Sequence, residues 1–316
     1  MSNHGRRRGG ADRHAGAGPF TPSRAVRYGI KDQVSTGRKP GCVRSRNGMI
    51  RFFCEPFERA WHYRELIQVI LWRELAARFR DSYVSWGWAV FAPLVMLGLY
   101  TMVFSTTLKV SSAPEAGVSH YALRIFVGLI IFNLTVELMS RAPTLMHEHA
   151  AFLKKSIFPS EMLIWIALLR ALVYSGIGLV VLLVFELALT GRIPATALLL
   201  PFVVVPLCLL LLGITWFLAA LGAFTRDVSY LIVSFVPVLL FTTPVFYSLS
   251  ELPDTLRRLA YLNPMTSYIE MSTQVLLAAT WPDPLVYLAS TLWAGCVFFA
   301  GRTFFVRYRN VIIDVI

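Results

Sequence analysis

Charge is what this sequence is shortest of. Asp, Glu, Lys and Arg make up 15% of its 316 residues, against a hydrophobic share of 56% and a mean hydropathy of +0.60. Soluble domains carry about 25% charged residues, so an ordinary water-solvated globule is excluded. Acids are scarcer than bases, 18 against 30. Cysteine is scarce too: Cys42, Cys54, Cys208 and Cys296 have no metal-ligand spacing, and the last two sit inside apolar runs. Neither a disulfide framework nor a zinc site is implied. No G-x-x-x-x-G-K-[ST] occurs, which excludes a P-loop, and no Ser/His/Asp set is recognisable. His147-Glu148-His149 is not H-E-x-x-H, and two residues apart the histidines face different sides of a helix, so no metal centre is expected. Residues 1–50 lack the apolar core of a secretory leader.

What the chain has instead is a series of long apolar runs. Val228 to Ser250 is uncharged for 23 residues, enough at about 1.5 Å per residue to cross a hydrocarbon core of roughly 30 Å. Thr242-Thr243-Pro244 lies near its far end. After it come a polar stretch from Glu251 to Arg258, a break at Tyr261-Leu262-Asn263-Pro264, and a half-apolar segment, Met265 to Ala279, too short to span. Leu285 to Gly301 is uncharged again. A broken hairpin between two spans points to a transporter or a channel gate, because irregular backbone at membrane depth needs cover from protein or a water-filled path.

Four more spans are expected upstream: Trp86–Leu108, anchored by Trp86 and Trp88, then Tyr121–Ser140, Met162–Thr190, and Ile193–Phe224 bent by Pro201 and Pro206. Gly191-Arg192 makes a tight turn between the last two. Ahead of them, Pro56 to Arg80 reads as one amphipathic helix with Pro56 in its first turn. Its apolar stripe is Phe57, Trp61, Ile67, Leu71, Leu75 and Phe79. Such a helix lies in a membrane interface or packs as a soluble helix, and direct continuation into a span favours the interface. The fold expected is an all-α polytopic membrane protein with six transmembrane helices. Its divisions are a disordered basic N-terminal region (1–55), the interface helix (56–82), the six-span domain (83–309) and a C-terminal tail (310–316).

The net charge of +12 is a topology signal, since 17 of the 30 Lys and Arg precede the first span. With both termini inside, 24 basic residues fall on the cytoplasmic side and 4 on the other, which orients the chain and turns the broken hairpin outward. No aromatic-and-basic platform accompanies the charge, so no nucleic acid is expected.

Charges inside spans mark substrate paths or snorkel to an interface. Arg170 is the stronger candidate and Glu186 the weaker; 16 residues apart on one helix, they cannot pair. Glu137 and Arg141, four apart, can neutralise each other. Tyr100 and Phe104 on the first span, with Phe241, Phe246 and Tyr247 on the fifth, offer flat faces on which sugar rings dock, or else plain packing surface.

Several short motifs occur in order. Phe79-Arg80-Asp81-Ser82 leads to Trp86-Gly87-Trp88-Ala89 and Pro93-Leu94. Lys154-Lys155-Ser156-Ile157-Phe158-Pro159-Ser160-Glu161 follows the second span, Arg226-Asp227-Val228 joins spans four and five, Pro244-Val245-Phe246-Tyr247 closes span five, and Tyr261 to Pro264 forms the hairpin. In this order and topology the chain resembles the permease subunits of ABC type-2 exporters of the polysaccharide class, which carry O-antigen, capsule, teichoic acid or galactan. It departs from their pattern at Ser85, Phe132 and Thr273. The resemblance implies a permease without enzymatic activity, working as a pair of copies in a bacterial inner (plasma) membrane. It also implies two nucleotide-binding subunits that hold ATP and Mg, no cofactor in this chain, and a lipid-linked polysaccharide as cargo. By the same resemblance the substrate channel takes in Tyr100, Phe104, Phe246 and Tyr247; Phe241, as a span-five aromatic, and Arg170, as a charge inside a span, are the further channel candidates. Glu148, Lys154, Lys155, Phe158 and Pro159 belong to the ATPase-coupling element, and Tyr261, Asn263 and Pro264 to the outer gate. A second reading is the same fold exporting a drug or small lipid. A membrane transferase would need a carboxylate or histidine constellation at the interface, and none is seen.

Overall fold

The computed structural model describes residues 48–79, 87–107, 115–154, 159–249 and 252–316. Every regular element among them is helical. Two helices, α1 (Gly48–His62) and α2 (Arg64–Phe79), stand where one was expected from Pro56. They abut at Tyr63, whose amide donates to Arg59 O at 3.0 Å and whose carbonyl accepts from Ile67 N at 2.9 Å, so bonding runs on through the junction. Pro56 is a buried interior residue of α1, not its first turn. Its ring removes one i→i−4 bond there, and contacts to the bundle hold the helix in place. Of the expected stripe, Ile67 and Leu75 are buried, while Trp61 is 71% exposed. Ile67 packs on Met162 and Ile166.

The apolar runs form α3 (Gly87–Thr107), α4 (Glu115–Arg141), α7 (Glu161–Thr190), α8 (Leu200–Phe224), α9 (Asp227–Thr242) and α12 (Pro284–Val315). Two short helices, α5 (Leu145–Glu148) and α6 (Ala150–Lys154), lie between α4 and α7; α10 (Asp254–Ala260) and α11 (Pro264–Leu276) lie between α9 and α12. Among the described residues, four segments are long and apolar enough to cross a membrane: His120–Arg141, Glu161–Thr190, Ala195–Phe224 and Pro284–Val315. The third of these begins as a 3₁₀ helix, Ala195–Leu199, so Pro201 starts α8 rather than bending it. Gly191 ends α7 in the left-handed conformation, φ 70°, with its amide on Leu187 O, a C-cap that only glycine adopts without strain.

The fifth apolar run behaves differently from its sequence reading. Helix α9 stops at Thr242 after 16 residues, about 24 Å of rise, and does not continue to Ser250. Thr243 is extended and precedes Pro244, whose ring disfavours helical geometry at the residue before it.

Residues Phe52–Ile316 form one compact unit. At its centre α8 and α12 touch backbone to backbone, with Gly213 against Gly301, and any Cβ on Gly301 would overlap the Gly213 carbonyl. Small residues at such a crossing let two apolar helices approach closely. Trp216 packs edge-on to Phe298 at 5.2 Å beside it. Helix α4 lies on α7, and α11 rests against α4, α8 and α12. The segment set apart as a tail is the end of α12, with Ile312 fully buried.

Candidate functional site

Polar chemistry gathers at the two ends of α4. At its C-terminal end, Arg141 contacts Glu74 of α2 at 3.3 Å and Glu148 of α5 at 3.5 Å. Arg170 of α7 bridges two carboxylates, Nη1 to Glu74 at 3.5 Å and Nη2 to Glu137 at 3.0 Å. His149 Nε2 lies 3.4 Å from Glu74, while its Nδ1 faces Leu145 O at 3.1 Å. Burial raises the Glu74 carboxyl, but the His149 hydrogen bond and the charges of Arg141, His149 and Arg73 outweigh it and hold Glu74 below its ordinary range. The Glu74 hydrogen bond raises His149, against desolvation, with Leu145 O and the Glu148 charge adding to the rise. Glu137 and Arg141, expected to neutralise each other, thus each bond to a different helix. Arg170, expected in a channel, sits 7% exposed within this cluster.

A second cluster fastens α1. Arg59 pairs with Glu55 and reaches Glu161 at 3.4 Å. Arg302 holds Glu55 at 2.8 Å, and Arg309 meets Glu161 at 3.4 Å. Desolvation raises Glu55, and the Arg302 and Arg59 contacts bring it below its usual value. The Glu161 side chain is 1% exposed, so α1, α7 and α12 share one buried carboxylate. The sequence reading missed Glu55, Glu74, Glu161 and Arg302 as partners. Glu55 and Glu74 were legible only as charges beside and on the expected amphipathic helix, Arg302 as a charge beside an apolar run and Glu161 as the end of a motif, and none of these says which charge meets which.

Beside the first cluster is a cavity of about 330 Å³, lined by Pro143, His147 and Glu148 on one side and Gly222, Arg226 and Tyr230 on the other. His147 Nε2 approaches Gly222 O at 3.3 Å, and a Cβ on Gly222 would overlap Pro143. Of the expected coupling residues, Glu148 lines this cavity and is bonded to Thr144 at 2.7 Å. Pro159 is half-buried and its carbonyl accepts from Met162 N at 3.0 Å. The Lys154 side chain, Lys155 and Phe158 lie outside the described residues.

At the other end of α4, the chain leaving α9 is pinned. Tyr121 donates to Phe246 O at 2.6 Å, and Arg124 reaches Ser248 Oγ at 3.0 Å and Glu270 at 3.3 Å. Asn263 donates to Thr243 Oγ1 at 2.8 Å and, as N-cap of α11, accepts from Met265 N at 3.0 Å. Pro264 opens α11, and Tyr261 is 46% exposed. Tyr247 Oη donates to Phe241 O and Thr242 O, both at 3.3 Å, folding back over the end of α9. Phe241 projects outward, 75% exposed. The side chains of Tyr100 and Phe104 lie outside the described residues.

Long apolar helices crossing at small residues, with their buried charges paired between helices, define a multi-pass helical membrane protein. Residues 65–277 match the family of ABC-2 type transporters, and the chain belongs to that family. It is 27% identical over 263 residues to the O-antigen export system permease protein RfbA of Myxococcus xanthus, covering 80% of this chain and 97% of that protein. It is 20% identical over 207 residues to an O-antigen export system permease protein RfbA of Klebsiella pneumoniae, covering 65% of this chain and 77% of that one.

Proposed function

We propose that this chain is the permease subunit of an ATP-driven exporter that moves a lipid-linked polysaccharide of the O-antigen type across a bacterial inner membrane. The likeness to the Myxococcus permease over 97% of that protein's length carries this reading. On it, all six apolar helices cross the membrane, both termini are cytoplasmic, and the α10–α11 hairpin re-enters from outside as a gate. The basic asymmetry of 24 against 4 supports that orientation. ATP is hydrolysed by two copies of a separate nucleotide-binding subunit, which dock against α5, α6 and the cavity at Glu148 and Arg226. Two copies of this chain form the channel. The exposed faces of α3 and α9 support that arrangement: Phe91, Leu94 and Met102 on the one and Leu231, Val238 and Phe241 on the other cover little within the protomer. The aromatic candidates Tyr100, Phe104, Phe241, Phe246 and Tyr247 line it.

The test is to co-express this chain with the ATPase encoded beside it, purify through a tag on this chain alone, and assay hydrolysis. Co-purification with ATPase activity is expected. A well-behaved chain that never retains the ATPase, in detergent or nanodiscs, would overturn the reading.

A further inference from the structure

One carboxylate ties together four elements. Glu74 of α2 lies 3.3 Å from Arg141 at the end of α4, 3.5 Å from Arg170 within α7, and 3.4 Å from His149 between α5 and α6. The Glu74, Arg170 and His149 side chains are 12%, 8% and 11% exposed. Such contacts are little screened, and they are costly to leave half-made. Helices α5 and α6 have four and five residues, far too few to be stable alone. Their position is therefore set by what they touch: the buried Leu145, Met146 and Leu153, and the His149 ring. Both ring nitrogens face acceptors, Leu145 O and the Glu74 carboxylate, so the doubly protonated ring fits the site.

We propose that Glu74 is a positioning residue for transport, holding the 145–154 segment in register with α2, α4 and α7. Displacement of that segment by a partner then moves the transmembrane helices instead of bending a loop. The proposal rests on the exporter reading above. In that setting the bound ATPase pushes on α5 and α6, and Glu74 carries the push through Arg141 and Arg170 into two membrane helices. Without it, hydrolysis proceeds and the helices do not follow. Arg73, exposed on the same helix, adds positive potential at Glu74.

The experiment uses the full chain with its ATPase subunit in a host lacking the native permease gene. Surface polysaccharide is read by gel, and ATP hydrolysis on the purified complex. Glu74→Gln is expected to keep assembly and hydrolysis within twofold of wild type while surface glycan falls roughly tenfold, the scale of a typical coupling free energy. Glu74→Asp should recover part of the loss, because the charge returns one methylene short. Equal export by wild type and E74Q overturns the proposal, as does a loss of export matched by an equal loss of assembly in both variants. If E74Q does not accumulate, His149→Gln decides: it must lower export at unchanged hydrolysis, and unchanged export overturns the proposal. A wild-type chain that neither restores surface glycan nor retains the ATPase would instead sink the exporter reading itself.

Discussion

Asn263 and Thr243 are joined by a 2.8 Å hydrogen bond across the break between α9 and α11. Thr243 is fully buried and Asn263 is 9% exposed, so the pair closes a polar contact inside apolar surroundings. The Asn263 side chain also caps α11 through Met265 N. Asn263→Ala therefore removes a cap, worth about 1 kcal/mol, and leaves the buried Thr243 Oγ1 without its donor, worth about 1–3 kcal/mol. Asn263→Asp keeps the cap acceptor, but its second oxygen replaces the donating Nδ2 and faces the Thr243 hydroxyl, which already donates to Leu239 O. Hydrogen exchange in nanodiscs should show faster exchange at Met265 and Thr266 for the alanine variant, with the aspartate variant between it and wild type. Identical protection in all three would mean that packing alone holds the hairpin.

Arg170 presents one guanidinium nitrogen to Glu74 and another to Glu137. A lysine has one nitrogen on a flexible stem and cannot hold both carboxylates in that geometry. Arg170→Met leaves two carboxylates near the bundle interior without their shared cation, a loss of about 3–5 kcal/mol. Arg170→Lys should fall between Met and wild type. Thermal unfolding of the purified chain in one detergent, at one pH, gives the ranking. A lysine variant as stable as wild type would show that a point charge suffices and that the fork is not used.

Both clusters explain why the sequence disclosed the helices so much better than the site. Hydrophobic runs are local, and the six apolar helices appear where the runs are. The expected span to Ser250 ran through Thr243-Pro244, a pair that disfavours helix at its first residue, and α9 stops there. The split at Tyr63 was not legible, since nothing near it in the sequence breaks a helix; Tyr63 and Ile67 share one cluster with α7. Glu137 shows the same limit. At i,i+4 to Arg141 it looks satisfied within its own helix, yet its 3.0 Å bond goes to Arg170, 33 residues away. Spacing along one helix reports only the partners on that helix. In a bundle, charges at helix ends are paid for between helices, and no local pattern says which ones meet.

The Glu74–His149 contact predicts a definite pH response. His149 titrates higher in the folded protein than its ordinary 6.5, because of Glu74 above all. Its contribution is therefore complete below about pH 6.5 and is lost as pH rises through the raised folded value. Glu74 titrates below its ordinary 4.5, so its contribution is complete above about pH 4.5 and is lost as pH falls through the lowered value. The two overlap between about pH 4.5 and 6.5. Wild-type thermal stability should decline relative to His149→Gln as pH rises from 6.5 towards 9. Parallel curves for the two proteins over that range would show that the contact does not depend on protonation of the ring.

Helix α9 buries almost nothing of itself within one copy of the chain. Ile232 is its single buried residue, whereas Leu231, Val238 and Phe241 are 64%, 55% and 75% exposed, with Ser234 exposed between them. Positions 231, 234, 238 and 241 recur at three and four residues and so form one stripe. Lipid can cover such a stripe, and so can the same stripe of a second copy, which two-fold symmetry would bring face to face. The proposed channel requires the second copy in at least one state of transport. Single cysteines placed at 231, 234, 238 and 241 in a background with the four native cysteines replaced should form disulfide-linked dimers on mild oxidation in membranes. Cysteines at 232 and 236, on the face turned towards α4 and α8, should not. A stripe-specific pattern supports paired α9 helices. Absence of dimers at all four positions, with ATPase still bound, would place α9 against lipid and require a channel built from other helices.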